Sequence, residues 1–251
     1  MIMRNPFGSW FKKKKLDHPV DLSPLVTDMH SHLIPGIDDG APDMQTVLAL
    51  LEQMSRLGFR KVITTPHIMS DLYKNNTEII RKGEKEVKEA IKKTGLNLEF
   101  HAVAEYLVDE GFAPLVQKRE VMTFGDNYAL IELPYYSPPK NLSELLFEMQ
   151  VAGYKVILAH PERYVYWHQT FSEYEKLKDR EVFFQLNTIS LSGYYSLTTK
   201  KVSEKLIDAG MIDFLGSDLH SFQYLKLLEK SLYELALAKL LNSGKLKNQS
   251  L

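Results

Sequence analysis

Histidine and carboxylate side chains recur along the chain where short apolar runs end. In His30-Ser31-His32, both imidazoles lie on the same side of a strand, because successive side chains of a strand alternate. Asp218-Leu219-His220 repeats this spacing near the other end of the chain. Imidazoles and carboxylates, in a chain without cysteine, are typical ligands of manganese, iron or zinc. In chain order, these strand-end groups are His30, His32, His67, Glu105, Glu132, His160, Asn187, Asp218 and His220.

The number of these groups predicts more than one metal ion. A single ion needs about three or four protein ligands, and two ions about 3.5–4 Å apart can hold the attacking and leaving oxygens of an in-line displacement. Glu105 is suited to bridge two ions with its two oxygens. The pattern therefore predicts a two- or three-metal hydrolase of phosphate esters, which are anions that a cationic cluster attracts. The candidate metal ligands are His30, His32, Asp39, His67, Glu105, Glu132, His160, Asp218 and His220.

Arg163, three residues after His160, is the candidate catalytic and phosphate-binding residue. Its guanidinium can donate two parallel hydrogen bonds to a phosphate. The alternative is a surface ion pair with Glu162 or another acid, but the adjacent metal cluster favours phosphate. The three histidines outside the set are interpreted as structural, although His101 lies four residues before Glu105 and has an alternative role supporting a ligand. These three are His18, His101 and His168.

Seven short apolar runs carry the strand-end groups, and helical patterns lie between them. Parallel neighbours need such helical crossovers, so the pattern predicts a parallel sheet. An open doubly wound sheet collects ligands near its switch point, whereas a barrel collects them from every strand at its C-terminal mouth. Because all seven runs contribute, a barrel is favoured. The runs are 25–29, 61–65, 98–104, 128–131, 155–159, 182–186 and 212–216, and the clearest helices are 46–57, 78–93, 142–151 and 201–209.

Composition excludes several other classes of protein. With no cysteine, the chain has no disulfide, thiolate nucleophile or sulfur-ligated metal. Lys+Arg 31 against Asp+Glu 32 gives a formal charge of -1, which argues against nucleic acid as a partner and against a nuclease. The chain contains no run of about 18 apolar residues, so no membrane-spanning helix is predicted. A cytoplasmic location is therefore expected.

The chain is expected to divide into an N-terminal arm, residues 1–23, and one catalytic domain, residues 24–251. The arm combines Arg4 and Lys12 to Lys15 with the aromatic residues Phe7, Trp10 and Phe11. A solvated arm is the favoured interpretation. The alternative is a weak contact with an acidic membrane surface or partner, since aromatic and basic residues together favour that interface.

The motifs resemble those of the polymerase and histidinol phosphatase (PHP) superfamily and, within it, the bacterial metal-dependent protein-tyrosine phosphatases of capsule and exopolysaccharide loci. The resemblance runs from about Leu25 to the C-terminus. Its most specific part is His30 to Gly40, where His-Ser-His is followed by Asp-Asp-Gly. The matching segments are Asp28 to His32, Ile37 to Gly40, Thr65 to His67, Ala104 to Tyr106, His160 to Arg163 and Ser217 to His220.

The resemblance implies a distorted (β/α)7 TIM-like barrel (the PHP fold) with its site at the C-terminal ends of the strands. It also implies three divalent metal ions, usually assigned as manganese, while iron and zinc accept the same ligands. Arg163 matches the family's phosphate-binding arginine. A second arginine of related phosphatases is absent here, and Lys226 is the candidate replacement. The implied ligand sets are His30, His32, Glu105 and Asp218; Glu105, Glu132 and His160; and Asp39, His67 and His220.

The activity implied by the resemblance is hydrolysis of phosphotyrosine by a metal-bridging hydroxide, without a phosphoenzyme. The implied partner is a membrane-associated bacterial tyrosine kinase of capsule or exopolysaccharide synthesis. Two alternatives remain open: a phosphatase of the same superfamily for histidinol phosphate or another small phosphoester, and a metal-containing regulatory binding module. The loop from Pro134 to Pro139 either seats an aromatic ring or is an ordinary surface loop.

Overall fold

Nine short strands and eight α-helices alternate along residues 15–251, the part of the chain that the computed structural model describes. The strands are β1 (Thr27–Asp28), β2 (Lys61–Thr64), β3 (His67–Ile68), β4 (Glu99–Ala102), β5 (Glu105–Leu107), β6 (Tyr128–Glu132), β7 (Lys155–Ala159), β8 (Phe183–Asn187) and β9 (Phe214–Gly216). The helices are α1 (Met44–Arg56), α2 (Thr77–Thr94), α3 (Phe112–Lys118), α4 (Leu142–Val151), α5 (Ser172–Asp179), α6 (Leu197–Asp208), α7 (Phe222–Ser231) and α8 (Leu235–Leu241).

The strands form two parallel sheets. One has the order β1-β2-β4, and the other has the order β3-β5-β6-β7-β8-β9. In the larger sheet, His67 lies opposite Glu105 and Leu107 lies opposite Glu132. The α/β architecture with parallel strands is confirmed, and the side chains at the C-terminal ends of the strands meet along one edge.

Pro66 separates the two sheets along the chain. β2 ends at Thr64 and β3 begins at His67, because proline has no N–H to continue a ladder. Thr65 N donates to Ser31 O (2.7 Å), and Glu105 N donates to Pro66 O (3.1 Å). The predicted runs 61–65 and 98–104 therefore each continue, after a break, into a second short strand that begins at a candidate ligand.

Hydrogen bonds also join the segment after β1 to the segment after β9. Asp218 N donates to His30 O (2.8 Å), His32 N donates to Leu219 O (2.9 Å), and Ser31 and Leu219 form an isolated parallel bridge. These contacts place the two predicted pairs, His30 with His32 and Asp218 with His220, side by side.

Three helices, α1, α2 and α6, begin at side-chain caps, and every helix buries one face. Asp43 accepts a hydrogen bond from Thr46 N at the start of α1, and Asn76 and Ser196 cap α2 and α6 in the same way, which satisfies otherwise unpaired N–H groups. The predicted helices 46–57, 78–93, 142–151 and 201–209 are confirmed, with one to four residues of difference at several ends. The apolar side of α1 that packs into the core consists of Val47, Leu50, Leu51 and Met54.

Residues 15–23 of the expected arm lie against the C-terminal part of the fold. Leu16 N donates to Tyr233 O and Val20 N donates to Leu232 O, both at 2.9 Å, and Leu22 is buried. The basic and aromatic cluster up to residue 14 lies outside the described residues, and the boundary at residue 23 stays a prediction. Within residues 15–251, none of the helices has both the length and the apolar composition needed to cross a bilayer.

Candidate metal centre

The nine predicted metal ligands lie together, most of them at or after the C-terminal end of a strand, and His67 and Glu105 at the first residue of β3 and β5. Seven of them line a cavity of about 170 Å³, together with Arg163. His30 and His32 are fully buried and lie within reach of the same carboxylates. The seven lining residues are Asp39, His67, Glu105, Glu132, His160, Asp218 and His220.

The Nε2 atoms of His30 and His32 face two carboxylates. His30 Nε2 lies 3.2 Å from Glu105 Oε2 and 3.4 Å from Asp218 Oδ1. His32 Nε2 lies 3.5 Å from each of the same oxygens and 3.4 Å from His30 Nε2. His30, His32 and Glu105 form a group whose ligand atoms all lie within 4.8 Å of one another, and Asp218 Oδ1 lies beside both imidazoles. This set therefore fits a divalent ion.

Glu105 links this set to a second one. Its Oε2 lies 3.2 Å from His67 Nδ1, and its Oε1 lies 3.1 Å from His160 Nε2. His160 Nε2 is in turn 3.3 Å from Glu132 Oε1. The two oxygens of one buried carboxylate thus face different groups of ligands, as a carboxylate that bridges two ions requires.

A third group lies on the open side of the cavity. Asp39 Oδ1 is 3.7 Å from His67 Nε2 and 3.5 Å from His220 Nε2, and the Asp39 side chain is 51% exposed. His32 belongs to the same group by distance. His67 therefore faces two groups, with Nδ1 towards Glu105 and Nε2 towards Asp39.

Buried partners hold the imidazoles in orientation. His32 Nδ1 donates to Asp38 Oδ2 and His30 Nδ1 donates to Gln185 Oε1, both at 2.8 Å. Such bonds to the far ring nitrogen fix the tautomer and leave Nε2 free for a metal. Burial would raise the pKa of Asp38, but the His32 imidazole beside it lowers that pKa to about 2. Asp38 therefore stays a carboxylate that can accept from His32.

Asp218 is held from the side opposite the imidazoles. Its Oδ2 accepts hydrogen bonds from Asn187 Nδ2 (2.7 Å), Arg163 Nη1 (3.0 Å) and Tyr195 OH (3.4 Å). The Arg163 guanidinium also lies over the rings of Tyr135 and Tyr195, at 5.0 and 4.4 Å from their centroids. These contacts orient Arg163 at the edge of the cavity.

The charge distribution of the cluster fits bound cations. Burial alone would lower the pKa of His160, but hydrogen bonds to Glu105 and Glu132 raise it to about 9. Within the described part of the chain, Glu105 Oε2 and His67 Nδ1 are buried without a hydrogen-bond partner. Buried polar atoms are normally paired. Divalent ions would displace the protons of the imidazoles and coordinate these unpaired atoms.

Two of the candidate ligands have an unusual backbone conformation. His160 (φ 33°) and Asp218 (φ 50°) both lie in the left-handed region that favours glycine. Non-glycine residues there cost about 1–3 kcal/mol each and are concentrated at functional sites. His160 directly follows β7 and Asp218 lies two residues after the end of β9, and the turn directs their side chains into the cluster.

Gly216 permits the close packing beneath the cluster. A Cβ atom at this position would lie 2.6 Å from His30 Cβ and 2.5 Å from Gln185 Nε2. Such a contact would force apart the two residues whose hydrogen bond orients the His30 ring. The glycine at the end of β9 is therefore required by the site and not by a turn.

Lys226 lies apart from the other predicted site residues. It is an exposed residue of α7 and is not among the residues that line the cavity. Tyr224 of the same helix does line it, with its ring centroid 4.9 Å from that of His220. A substrate-binding role for Lys226 stays a prediction.

The three histidines interpreted as structural have contacts that differ from those of the ligands. His101 Nε2 lies 2.6 Å from Glu99 Oε1, and His168 Nε2 donates to Glu162 O (2.8 Å). His18 is exposed. In the loop after β6, Tyr135 lines the cavity, whereas Tyr136 is 99% exposed.

Sequence reasoning missed the residues that support the ligands. Asp38, Gln185 and Tyr195 bind His32, His30 and Asp218 respectively. Only Asp38 had a visible signal, because it lies beside a candidate ligand in Asp38-Asp39-Gly40. Gln185 is 155 residues away from His30 in the chain, so no local pattern connects them.

Comparisons with known proteins agree with this geometry. A family model described as "Capsular polysaccharide synthesis, CpsB/CapC" matches residues 26–226. The tyrosine-protein phosphatase YwqE of Bacillus subtilis (strain 168) is 29% identical over 197 residues, which are 78% of each chain. The tyrosine-protein phosphatase CpsB of Streptococcus pneumoniae is 25% identical over 202 residues, which are 78% of this chain and 83% of that protein.

The fold is also similar to a solved structure. The match is to a crystal structure from work on YwqE of Bacillus subtilis and CpsB of Streptococcus pneumoniae, which are metal-dependent tyrosine phosphatases. The TM-score is 0.78 at 27% sequence identity, and the match covers 87% of both chains.

Proposed function

The chain belongs to the CpsB/CapC family of capsular polysaccharide synthesis proteins, and from this premise we propose that it is a metal-dependent protein-tyrosine phosphatase. One observation carries the proposal: Glu105 joins neighbouring ligand groups with its two oxygens, and Arg163 lies at the edge of the same cavity. When bound, the metal ions would offset the charge of a phosphate and lower the pKa of a water molecule.

Residues of the chain itself position the substrate. The Arg163 guanidinium is fixed by Asp218 and by two tyrosine rings, so its remaining N–H groups are available to the oxygens of a phosphate. The cavity of about 170 Å³ is smaller than the roughly 300–1,000 Å³ of sites that enclose a drug-sized ligand. It therefore suits the phosphorylated end of a larger substrate.

We assign three ions to the ligand groups and favour manganese. The supporting evidence is that three groups of ligand atoms, each within 4.8 Å, overlap in pairs. Each pair of groups has one residue in common, which is His32, His67 or Glu105. We further propose that the strands close into a distorted (β/α)7 barrel, which the bridge between Ser31 and Leu219 supports. Residues 24–251 would form this catalytic domain, and residues 1–23 its N-terminal arm.

The proposed substrate is a phosphotyrosine protein, and the proposed partner is a membrane-associated bacterial tyrosine kinase of capsule or exopolysaccharide synthesis. The names of the relatives YwqE and CpsB support the first part. The kinase and the cytoplasmic location stay predictions.

Rates on two substrates test the proposal. With manganese present, we expect the protein to hydrolyse a phosphotyrosine peptide with a much larger kcat/KM than histidinol phosphate, because a phenolate leaves more easily than an alkoxide. Phosphate release measured over a range of concentrations of each substrate gives both constants. A large preference for histidinol phosphate would overturn the assignment in favour of a small-molecule phosphatase.

Replacing Arg163 by alanine tests its role in phosphate binding. We expect kcat/KM on the phosphotyrosine peptide to fall about 10²–10³-fold, the usual effect of removing one donor to transition-state charge. Metal content should stay unchanged, because Asn187 and Tyr195 still hold Asp218. Arg163→Lys is the matched control, which keeps the charge but loses the planar fork. Substantial metal loss by elemental analysis would contradict a role in binding phosphate.

A further inference from the structure

Part of the cavity lining is uncharged. Apart from the candidate ligands and Arg163, the side chains that line it are Met69, Leu72, Tyr73, Tyr135 and Tyr224. Met69, Leu72 and Tyr73 come from a single loop between β3 and α2. We call residues 69–73 the lip of the cavity.

Hydrogen bonds hold the lip in place. Met69 N donates to Tyr73 O (2.9 Å), which closes the loop on itself. Ser70 N and Oγ donate to the two carboxylate oxygens of Asp109, at 2.7 and 2.9 Å. Asn75 Nδ2 donates to the carbonyls of Ile37 and His67, both at 2.9 Å. The lip is therefore anchored on both sides and to the loop that carries Asp39.

Leu72 is the exposed apolar residue of this anchored loop, next to the exposed Asp71. Its side chain is 68% exposed, although the backbone around it is fixed. Tyr73, by contrast, stacks on the candidate ligand His67, with 5.7 Å between ring centroids and 7° between planes. An apolar side chain that a rigid loop presents to solvent at a cavity mouth gains by contact with an apolar ligand.

We propose that Leu72 is a specificity-determining residue that packs against the phenyl ring of the substrate, so that the site selects aryl over alkyl phosphate monoesters. This inference rests on the proposed function and extends it to one named side chain. The phosphate end of the substrate meets Arg163 and the ligand groups, and the ring, which must leave the cavity next to the phosphate, meets the lip. Leu72 acts by binding and takes no part in proton transfer.

Two non-hydrolysable probes separate binding from turnover. The binding of phenylphosphonate and methylphosphonate to the manganese-loaded full chain is measured by calorimetry. We expect Leu72→Ala to weaken phenylphosphonate binding about tenfold, the lower end of the range for a lost contact in an apolar pocket, and to leave methylphosphonate binding within about twofold. Leu72→Met should bind both probes like the wild-type protein, because it retains an apolar side chain.

Val151→Ala is the matched control. Val151 is also 68% exposed but is the last residue of α4 and does not line the cavity, so this change should affect neither probe. An unchanged affinity of Leu72→Ala for phenylphosphonate, an equal loss for both probes, or a wild-type protein that binds neither would overturn the inference. Specific phenylphosphonate binding without hydrolysis of phosphotyrosine would overturn the proposed function and support the role of Leu72.

Discussion

Glu105→Gln is expected to abolish hydrolysis, with kcat/KM on a phosphotyrosine peptide falling by at least about a thousandfold. An amide has a single acceptor oxygen and two N–H donors, so it cannot serve the imidazoles on both sides of the carboxylate. The two Glu105 oxygens lie within 3.2 Å of His30, His67 and His160. Metal ions contribute several kcal/mol to such reactions, and about 4 kcal/mol corresponds to a thousandfold change in rate.

Elemental analysis and kinetics on the same preparation check this result. The variant should retain fewer metal ions than the wild-type protein, while circular dichroism shows a folded chain. Glu84→Gln is the matched control: Glu84 is also a buried carboxylate, but it binds Arg81 and Lys88 and should leave turnover nearly unchanged. If Glu105→Gln kept both its metal and its turnover, Glu105 would not be a ligand.

Removal of metal by a chelator is expected to reduce hydrolysis to background and to lower the melting temperature. Without cations, the cluster holds buried carboxylates and imidazoles around unpaired atoms such as Glu105 Oε2. Ligand binding at about 100 times Kd stabilises a fold by roughly 2.7 kcal/mol. For a chain of this size, the melting temperature changes by about 2–4 °C per kcal/mol of stability, so we expect it to fall by roughly 5–10 °C. Adding manganese back should restore both properties.

The Glu105→Gln variant serves as the control for chelation, since its melting temperature should respond less to the chelator than that of the wild-type protein. Full activity of the wild-type protein in the chelator would rule out a catalytic metal. A melting temperature that responds to metal, without turnover in either state, would instead favour a regulatory binding module.

The larger elements of the fold were predictable because their patterns are local. The run 155–159 coincides with β7, and the pattern 142–151 coincides with α4. β3 and β5 were missed because strands of two and three residues carry no detectable alternation. These two strands are defined instead by pairing with each other and, for β5, with β6, which is a tertiary effect.

The site was predictable to the extent that its residues have distinctive types at the ends of strands. All nine candidate ligands lie within one cluster. Most of their supports were not predictable, because Gln185 and Tyr195 act on residues far away in the sequence. Lys226 and Tyr224 lie two positions apart on α7, which at 3.6 residues per turn places them on nearly opposite faces. The position of a charged residue in the sequence does not by itself show which face of the helix its side chain lies on.

The left-handed backbone at His160 and Asp218 lowers the stability of the fold at two residues that the activity requires. Glycine adopts this conformation without the strain of about 1–2 kcal/mol that other residues carry there. Glycine at either position would thus ease the backbone and remove a charged group from the buried cluster, but it would also delete a ligand. Because loss of a ligand also removes the stabilisation by bound metal, selection for thermal resistance favours glycine at these two codons only when a chelator is present, and metal in the selection medium retains both ligands.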